Sequence, residues 1–155
     1  MGLDLRQRIG AFLGEWHVMS LATADRDGPH AANLFYACEG LALLWVSSPD
    51  ARHSRAIETS PLVAATIAPD YADFPAVKGV QIEGTARQLT EVGERQAAFA
   101  SLEARYPFLS RDTELPAAVR DAYAQAAVYR LEPSRIALID NTQGFGHREI
   151  LELIA

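Results

Sequence analysis

Cysteine is almost missing from this chain: its 155 residues include only Cys38, so no internal disulfide can form, and four scattered histidines build none of the common zinc spacings. A reducing compartment suits that composition. An excess of positive charge is also missing. The formal net charge is −6 and the pI ≈ 5.1, which excludes nucleic acid and anionic lipid surfaces as general partners and requires any bound anion to be held locally. No apolar run approaches the ~20 residues that cross a bilayer, and the opening MGLDLRQRIG is charged and lacks the apolar stretch of a signal peptide. The expectation is a cytoplasmic protein without a membrane partner. Glycine loops of the GxGxxG and Walker A types are absent, and no serine has the context of a nucleophile elbow. What remains, 49% hydrophobic and 22% charged residues without repeats or a low-complexity linker, describes one globular domain over residues 1–155.

Periodicity gives the organisation. Leu5, Ile9, Phe12, Leu13 and Trp16 recur at three- and four-residue steps, predicting an amphipathic helix over Leu3–Trp16. HVMSLATA then runs into Asp25-Arg26-Asp27-Gly28-Pro29, a turn that reverses it into HAANLFYAC, and Glu39-Gly40 turns again into LALLWVSS. Asp50 is positioned to cap a helix over Ala51–Glu58, which Pro61 ends before the strand LVAATIA. GVQIEGTARQL alternates as a strand with two different faces. Thr90 caps a helix to about Tyr106, a weaker helix follows around Leu115–Ala122, and AVYRLEP, RIALID and EILELI read as further strands. Six to eight short, mostly antiparallel strands with singly inserted helices describe a mainly β (α+β) fold, a small barrel rather than a parallel sheet.

Three segments could carry chemistry. In WVSSPDARHSR, Ser47 and Ser48 end a strand, and Arg52, His53 and Arg55 open a helix. Hydroxyls, free helical N–H groups and an arginine fork are what a phosphate monoester needs to replace its hydration. The plainer reading is a capped surface helix with solvated arginines. On HAANLFYAC, Asn33 and Phe35 share a face, an amide beside an aromatic ring that suits a flat heterocycle or a sheet core with one satisfied amide. In DNTQGFGHRE, Gly144 and Gly146 flank Phe145 beside Asn141, Thr142, Gln143 and His147, either a ligand loop or a polar hairpin. Cys38 lies in mid-strand, where core packing explains it, and Glu91, Glu94 and Glu103 lie on a helix where solvation explains them. No hydrolase machinery is indicated.

The order of elements, together with HVMSLATADRDGPHAANLFYA, ARH, GVQIEGTARQL and above all DNTQGFG, resembles the pyridoxamine-phosphate-oxidase-like FMN-binding split barrels, and within them the uncharacterised YhbP-like branch. The resemblance spans His17–Leu151. It implies a split barrel, bound FMN and a homodimer with a flavin at each subunit interface. Its phosphate-holding strand end and Arg-Lys pair carry over to Ser47, Arg52 and His53, so a histidine stands where the family has a permanent cation and phosphate binding becomes weaker or pH-dependent. The family's flavin-facing glutamine falls on Gly79, with Gln81 two residues on and on the same face. The loop containing Asn141, Phe145 and His147 becomes a candidate lid from the second subunit.

Of the C-terminal arginine and histidine set that holds a vitamin B6 phosphate, only His147 and Arg148 remain, so vitamin B6 oxidation is disfavoured. The leading expectation is a flavin-dependent oxidoreductase taking a small-molecule substrate and electrons from NADH or NADPH, with no assigned catalytic side chain beyond His147 as a proton donor. The alternative is a non-catalytic protein that binds or stores a flavin (FMN or FAD), a deazaflavin or haem.

Overall fold

Alternation decides the architecture. Along Val18–Asp25 (β1), Met19, Leu21 and Thr23 are buried while Val18, Ser20, Ala22 and Ala24 are exposed, and the same period-two pattern runs through Leu62–Ile67 (β5) and Lys78–Gln88 (β6). Strands with one covered face assemble as antiparallel sheet. The computed structural model describes residues 1–109 and 115–154. In it, Gly28–Phe35 (β2), Ala37–Glu39 (β3), Ala42–Ser47 (β4), Ala127–Asp140 (β7) and Arg148–Glu152 (β8) join those three strands in one eight-stranded sheet. Its order is β2-β1-β5-β6-β7-β4-β3, with β8 also on β7, and every pairing is antiparallel. Because β2 at one edge runs straight into β3 at the other, the sheet curls into a barrel that stays split between its two edges. Trp45 and Tyr129, stacked at 5.6 Å, fill the interior with Leu21, Leu43, Ile82 and Ile136.

Two strands differ from the sequence expectation. HAANLFYAC is interrupted at Tyr36, where the chain leaves β1 to pair with β4. AVYRLEP and RIALID, expected as separate strands, form the single 14-residue β7. Pro133 would break a regular ladder, having no N–H to give. Here the break is absorbed by a bulge: Glu83 pairs with Arg135 and Gly84 with Pro133, leaving Ser134 extra. The bulge requires glycine, since a Cβ on Gly84 would lie 2.2 Å from the Glu132 carbonyl oxygen and 2.9 Å from the Pro133 Cα.

The helices are Leu5–Glu15 (α1), Arg52–Thr59 (α2), Val92–Arg105 (α3) and Ala117–Gln125 (α4). Asp4 and Gln7 form a capping box that starts α1. Its far end is held from outside: the Arg105 guanidinium donates to the carbonyls of Leu13, Gly14 and Trp16, and the Tyr36 hydroxyl donates to Leu13 at 2.7 Å. That guanidinium lies 5.2 Å over the Tyr36 ring and 5.8 Å over the Tyr106 ring, so one cation ties α1, α3 and the β2–β3 junction together. Caps elsewhere shift by one residue. Glu91, not Thr90, accepts from Gly93 and Glu94 to start α3, and Ala51, not Asp50, precedes α2. Among the described residues no helix is long and apolar enough to cross a membrane.

Gly84→Ala forces the Glu132 backbone away and should lower stability by about 1–3 kcal/mol or more. Urea unfolding checks it, against Gly93→Ala as a control whose nearest contact is the flexible Glu91 carboxylate at 3.2 Å.

Candidate functional site

The split in the barrel is where the phosphate-type residues meet. Ser47 ends β4, and the loop Ser48-Pro49-Asp50 is folded back by the Ser48 hydroxyl accepting from the Asp50 N–H at 3.2 Å and the Ser48 carbonyl accepting from the Ala51 N–H at 3.1 Å. Ala51 then opens α2 with no side-chain cap, so the first-turn N–H groups lack the acceptor that Asp50 was expected to provide. On α2, His53, Ser54, Ala56 and Ile57 are buried, while Arg52 and Arg55 are exposed. The helix packs over β1 and β2.

This orientation separates Arg52 from His53. The His53 ring is 7% exposed, its Nε2 lies 2.6 Å from the Ser47 hydroxyl, and it stacks on His30 of β2 at 6.5 Å with 4° between the planes. Burial, and next the neighbouring His30, push its pKa below the ordinary value of about 6.5. The ring is therefore neutral at pH 7, a hydrogen-bond partner of Ser47 rather than a second cation. The hydroxyls of Ser54 and Thr23 are buried close to this contact without partners, an energetic cost carried beneath the site.

Arg52 faces the opposite way. It lines an open cleft of about 810 Å³ with Arg55, Thr59 and Ser60 on one wall and Asp25, Arg26 and Asp27 of the β1–β2 turn on the other. Its one hydrogen bond is long, Nη2 to the Asp27 carbonyl at 3.4 Å. Arg26 in the turn and His30 on β2 escaped the sequence reading, where DRDG stood only as turn chemistry. Their signal lies in the hairpin register, which pairs Asp25 with Gly28 and Thr23 with His30 and so sets both beside α2.

The remaining sequence-predicted residues lie along the outer face of the sheet. Asn33, Ser20, Thr66 and Gln81 form one row across β2, β1, β5 and β6, with Ser20 donating to the Asn33 side-chain oxygen at 2.7 Å. Phe35 is 58% exposed and meets the Tyr106 ring at 5.5 Å. Gln81 accepts from Arg148 at 3.0 Å. Gly79 is buried, and a Cβ there would press within 3.2 Å of the Ile67 carbonyl, which makes it a close-approach glycine.

Asn141, Phe145 and His147 sit beyond the end of β7. The Asn141 amide donates to the Phe74 carbonyl and accepts from the Gly146 N–H, each at 3.1 Å, and Gly144 and Gly146 take φ of 132° and 69°. That scaffold presents Phe145, 87% exposed, against Phe74 at 5.3 Å. His147 lies 3.5 Å from Glu149, which Arg8 holds in a two-pronged pair at 2.7 Å, drawing the carboxyl down to about 2. Ser47 lies opposite Ala127 at the start of β7, while Asn141 follows the end of that 14-residue strand. One chain thus joins Ser47 to His53, turns Arg52 outward on the same helix, keeps Asn33 and Phe35 on β2, and leaves Asn141, Phe145 and His147 beyond the end of β7. Among the described residues no group of three or more His, Cys, Asp or Glu is placed to hold a metal.

A curled antiparallel sheet, split where an arginine-bearing helix lies over its edge, defines a split-barrel protein. The chain belongs to the pyridoxamine 5'-phosphate oxidase family, whose model matches residues 5–140. Within it, the chain is similar to a UPF0306 protein of Photorhabdus laumondii, 30% identical over 145 residues that cover 92% of each chain. Among solved structures it resembles a haem binding protein from Mycobacterium smegmatis, with a TM-score of 0.76 and 19% identity over 98% of this chain and 59% of that one. A conserved hypothetical protein from Mycobacterium tuberculosis gives a TM-score of 0.72 at 18% identity, over 99% of this chain and 94% of that one. These structural likenesses are likenesses of fold.

The neutral state of His53 has a stability consequence. A histidine whose folded pKa lies below its unfolded value contributes stability that is full above about pH 6.5 and is lost as pH falls through the lowered folded value. Unfolding measured from pH 7.5 to 5 should show that loss, and His53→Gln should flatten it. The carboxylates of Glu91, Glu94 and Glu149, all held below their ordinary range, titrate in a more acidic window.

Proposed function

We propose that this chain is an FMN-binding oxidoreductase of the cytoplasm, acting on a small molecule with NADH or NADPH as electron source, and that it works as a homodimer. The observation that carries the reading is the pairing, at the split of the barrel, of an uncapped helix start with Arg52, whose guanidinium makes one long bond to a carbonyl. A phosphate monoester is the ligand those donors lack. The residues fit FMN on the chemistry of the donor set: Arg52 and the first turn of α2 would take the phosphate, and the exposed Phe35 ring with the row Asn33, Ser20 and Gln81 would take a flat ring with polar edges. His53 contributes by orienting the Ser47 hydroxyl, not by charge. Bound flavin would supply the electron transfer for which no side chain is equipped. The chain's own part is to hold the phosphate, present an apolar surface and exclude water.

The second subunit answers two features. Val18 and Phe35, paired across β1 and β2, are exposed together on the outer face of the sheet and would be covered in a dimer. The loop at Asn141–His147 follows the end of β7, whereas Ser47 lies opposite Ala127 at its start, so within one chain the length of β7 parts the loop from the β4–α2 connection and a ligand there would meet the loop of a neighbour.

Purified protein should be yellow, and its flavin absorption should bleach on addition of NADH or NADPH. Colour without bleaching would reduce the reading to a binding protein. Arg52→Ala should weaken FMN by about 1.5–3 kcal/mol while leaving riboflavin nearly unchanged. Equal losses for both ligands would remove the phosphate assignment.

A further inference from the structure

The cleft beside Arg52 is far larger than one phosphate requires. At about 810 Å³ it falls in the range that encloses a whole small ligand. Its walls carry three arginines, Arg26, Arg52 and Arg55, against the two acids Asp25 and Asp27. One of those acids is partly engaged, since the Asp25 carboxylate accepts the Asp27 N–H at 2.9 Å and so closes the hairpin turn.

The arginines of this cleft differ from most others in the chain. Arg8, Arg87, Arg130 and Arg135 are committed to glutamates, Arg105 to backbone carbonyls and Arg148 to Gln81. Among the described residues Arg52 has only its long bond to Asp27, and neither Arg26 nor Arg55 has a hydrogen-bond or ion-pair partner. In a chain of net charge −6, three guanidinium groups without an acidic partner among the described residues concentrate positive charge around one hollow where a diffuse field would repel an anion. Arg52 and Arg55 stand three residues apart on one helix face, with Cβ atoms about 5–6 Å apart, a spacing for two linked anionic groups. Arg26 reaches the same hollow from the opposite wall, and Thr59 and Ser60 add hydroxyls at its end.

We propose that Arg26, Arg52 and Arg55 form a seat for the pyrophosphate of a nucleotide, extending the single-phosphate site at the start of α2. Guanidinium forks bind phosphate oxygens in pairs, and two bridged phosphates use several forks where one phosphate cannot. Two ligands carry that chemistry: FAD in place of FMN, or the dinucleotide NADP⁺ or NADPH as electron donor. Only the FAD case rests on the flavin reading above.

The experiment is calorimetric titration of the full chain with inorganic pyrophosphate, inorganic phosphate, FMN, FAD and NADP⁺, repeated on Arg26→Ala, Arg55→Ala and Arg55→Lys. All three substitutions lie on exposed side chains, so folding is not at risk. Pyrophosphate should bind roughly ten-fold or more tighter than phosphate, and either alanine variant should lose roughly that factor for pyrophosphate and for whichever dinucleotide binds. Arg55→Lys should recover only part of it, keeping charge without the fork. Preference for FAD over FMN identifies a cofactor tail, whereas NADP⁺ binding identifies the donor. Pyrophosphate no tighter than phosphate, or affinities unmoved in both alanine variants, overturns the seat. Pyrophosphate binding that depends on Arg26 and Arg55 in a protein that takes no FMN sustains the seat and overturns only the flavin reading.

Discussion

The close approach of Gly84 to the Glu132 backbone is the constraint from which the rest of the sheet follows. With no Cβ at Gly84, β6 and β7 pass at a distance that no other residue permits, and the bulge at Pro133 and Ser134 lets β7 run on past its own proline. One edge of β6 is thereby paired along its whole length. The other edge of β7 is divided, residues 127–131 pairing with β4 and residues 135–139 with β8. That division puts the end of β4, with Ser47, at one pole of the molecule and the loop before β8, with Phe145, at the other. The distance between the two halves of the candidate site is thus set by the length of β7, which Gly84 allows to run through its own proline.

Charge is distributed to the same plan. Arg87, Arg130 and Arg135 are spent on the surface of the sheet, where exposed pairs are individually worth little, about 0–1 kcal/mol each. Arg105 is an exception, because its targets are carbonyls at the end of α1 and its plane lies against two tyrosines. A guanidinium there satisfies acceptors that the helix cannot satisfy itself. The arginines beside α2 are another exception, exposed yet unpaired. What sets them apart is that three of them line one cleft.

How much of this the sequence disclosed depends on the range of the interaction involved. Hairpins at Asp25–Gly28 and Glu39–Gly40, the alternating faces of β1, β5 and β6, and the helix around Ile9 and Leu13 are written in neighbouring residues, and each is present. The unity of β7 was hidden because Pro133 reads locally as a break, and the partner that rescues it, Gly84, lies about fifty residues earlier. The caps moved by single residues because Asp50 and Glu91, Thr90 and Ala51 are all chemically able to precede a helix or tolerated there. At the site, the grouping of Ser47, Ser48, Arg52 and His53 was legible as a contiguous run. Its division was not. Whether His53 is charged is decided first by its burial and next by His30 from another strand, and no local pattern reports either.

The division matters because a histidine and an arginine that adjoin in sequence do opposite work in space. Helical rotation turns His53 into the barrel with Ile57 and turns Arg52 outward with Arg55. Once inside, a charged imidazole would have to be desolvated beside a second imidazole, so the neutral ring is favoured and its Nε2 is taken up by Ser47. The positive charge that a buried cation would have supplied to an anion must then come from the exposed side of the helix. Arg55 and Arg26 are the groups that stand there, and a seat built from exposed arginines is wider than one built from a buried pair. Width, in turn, favours a ligand with more than one phosphate.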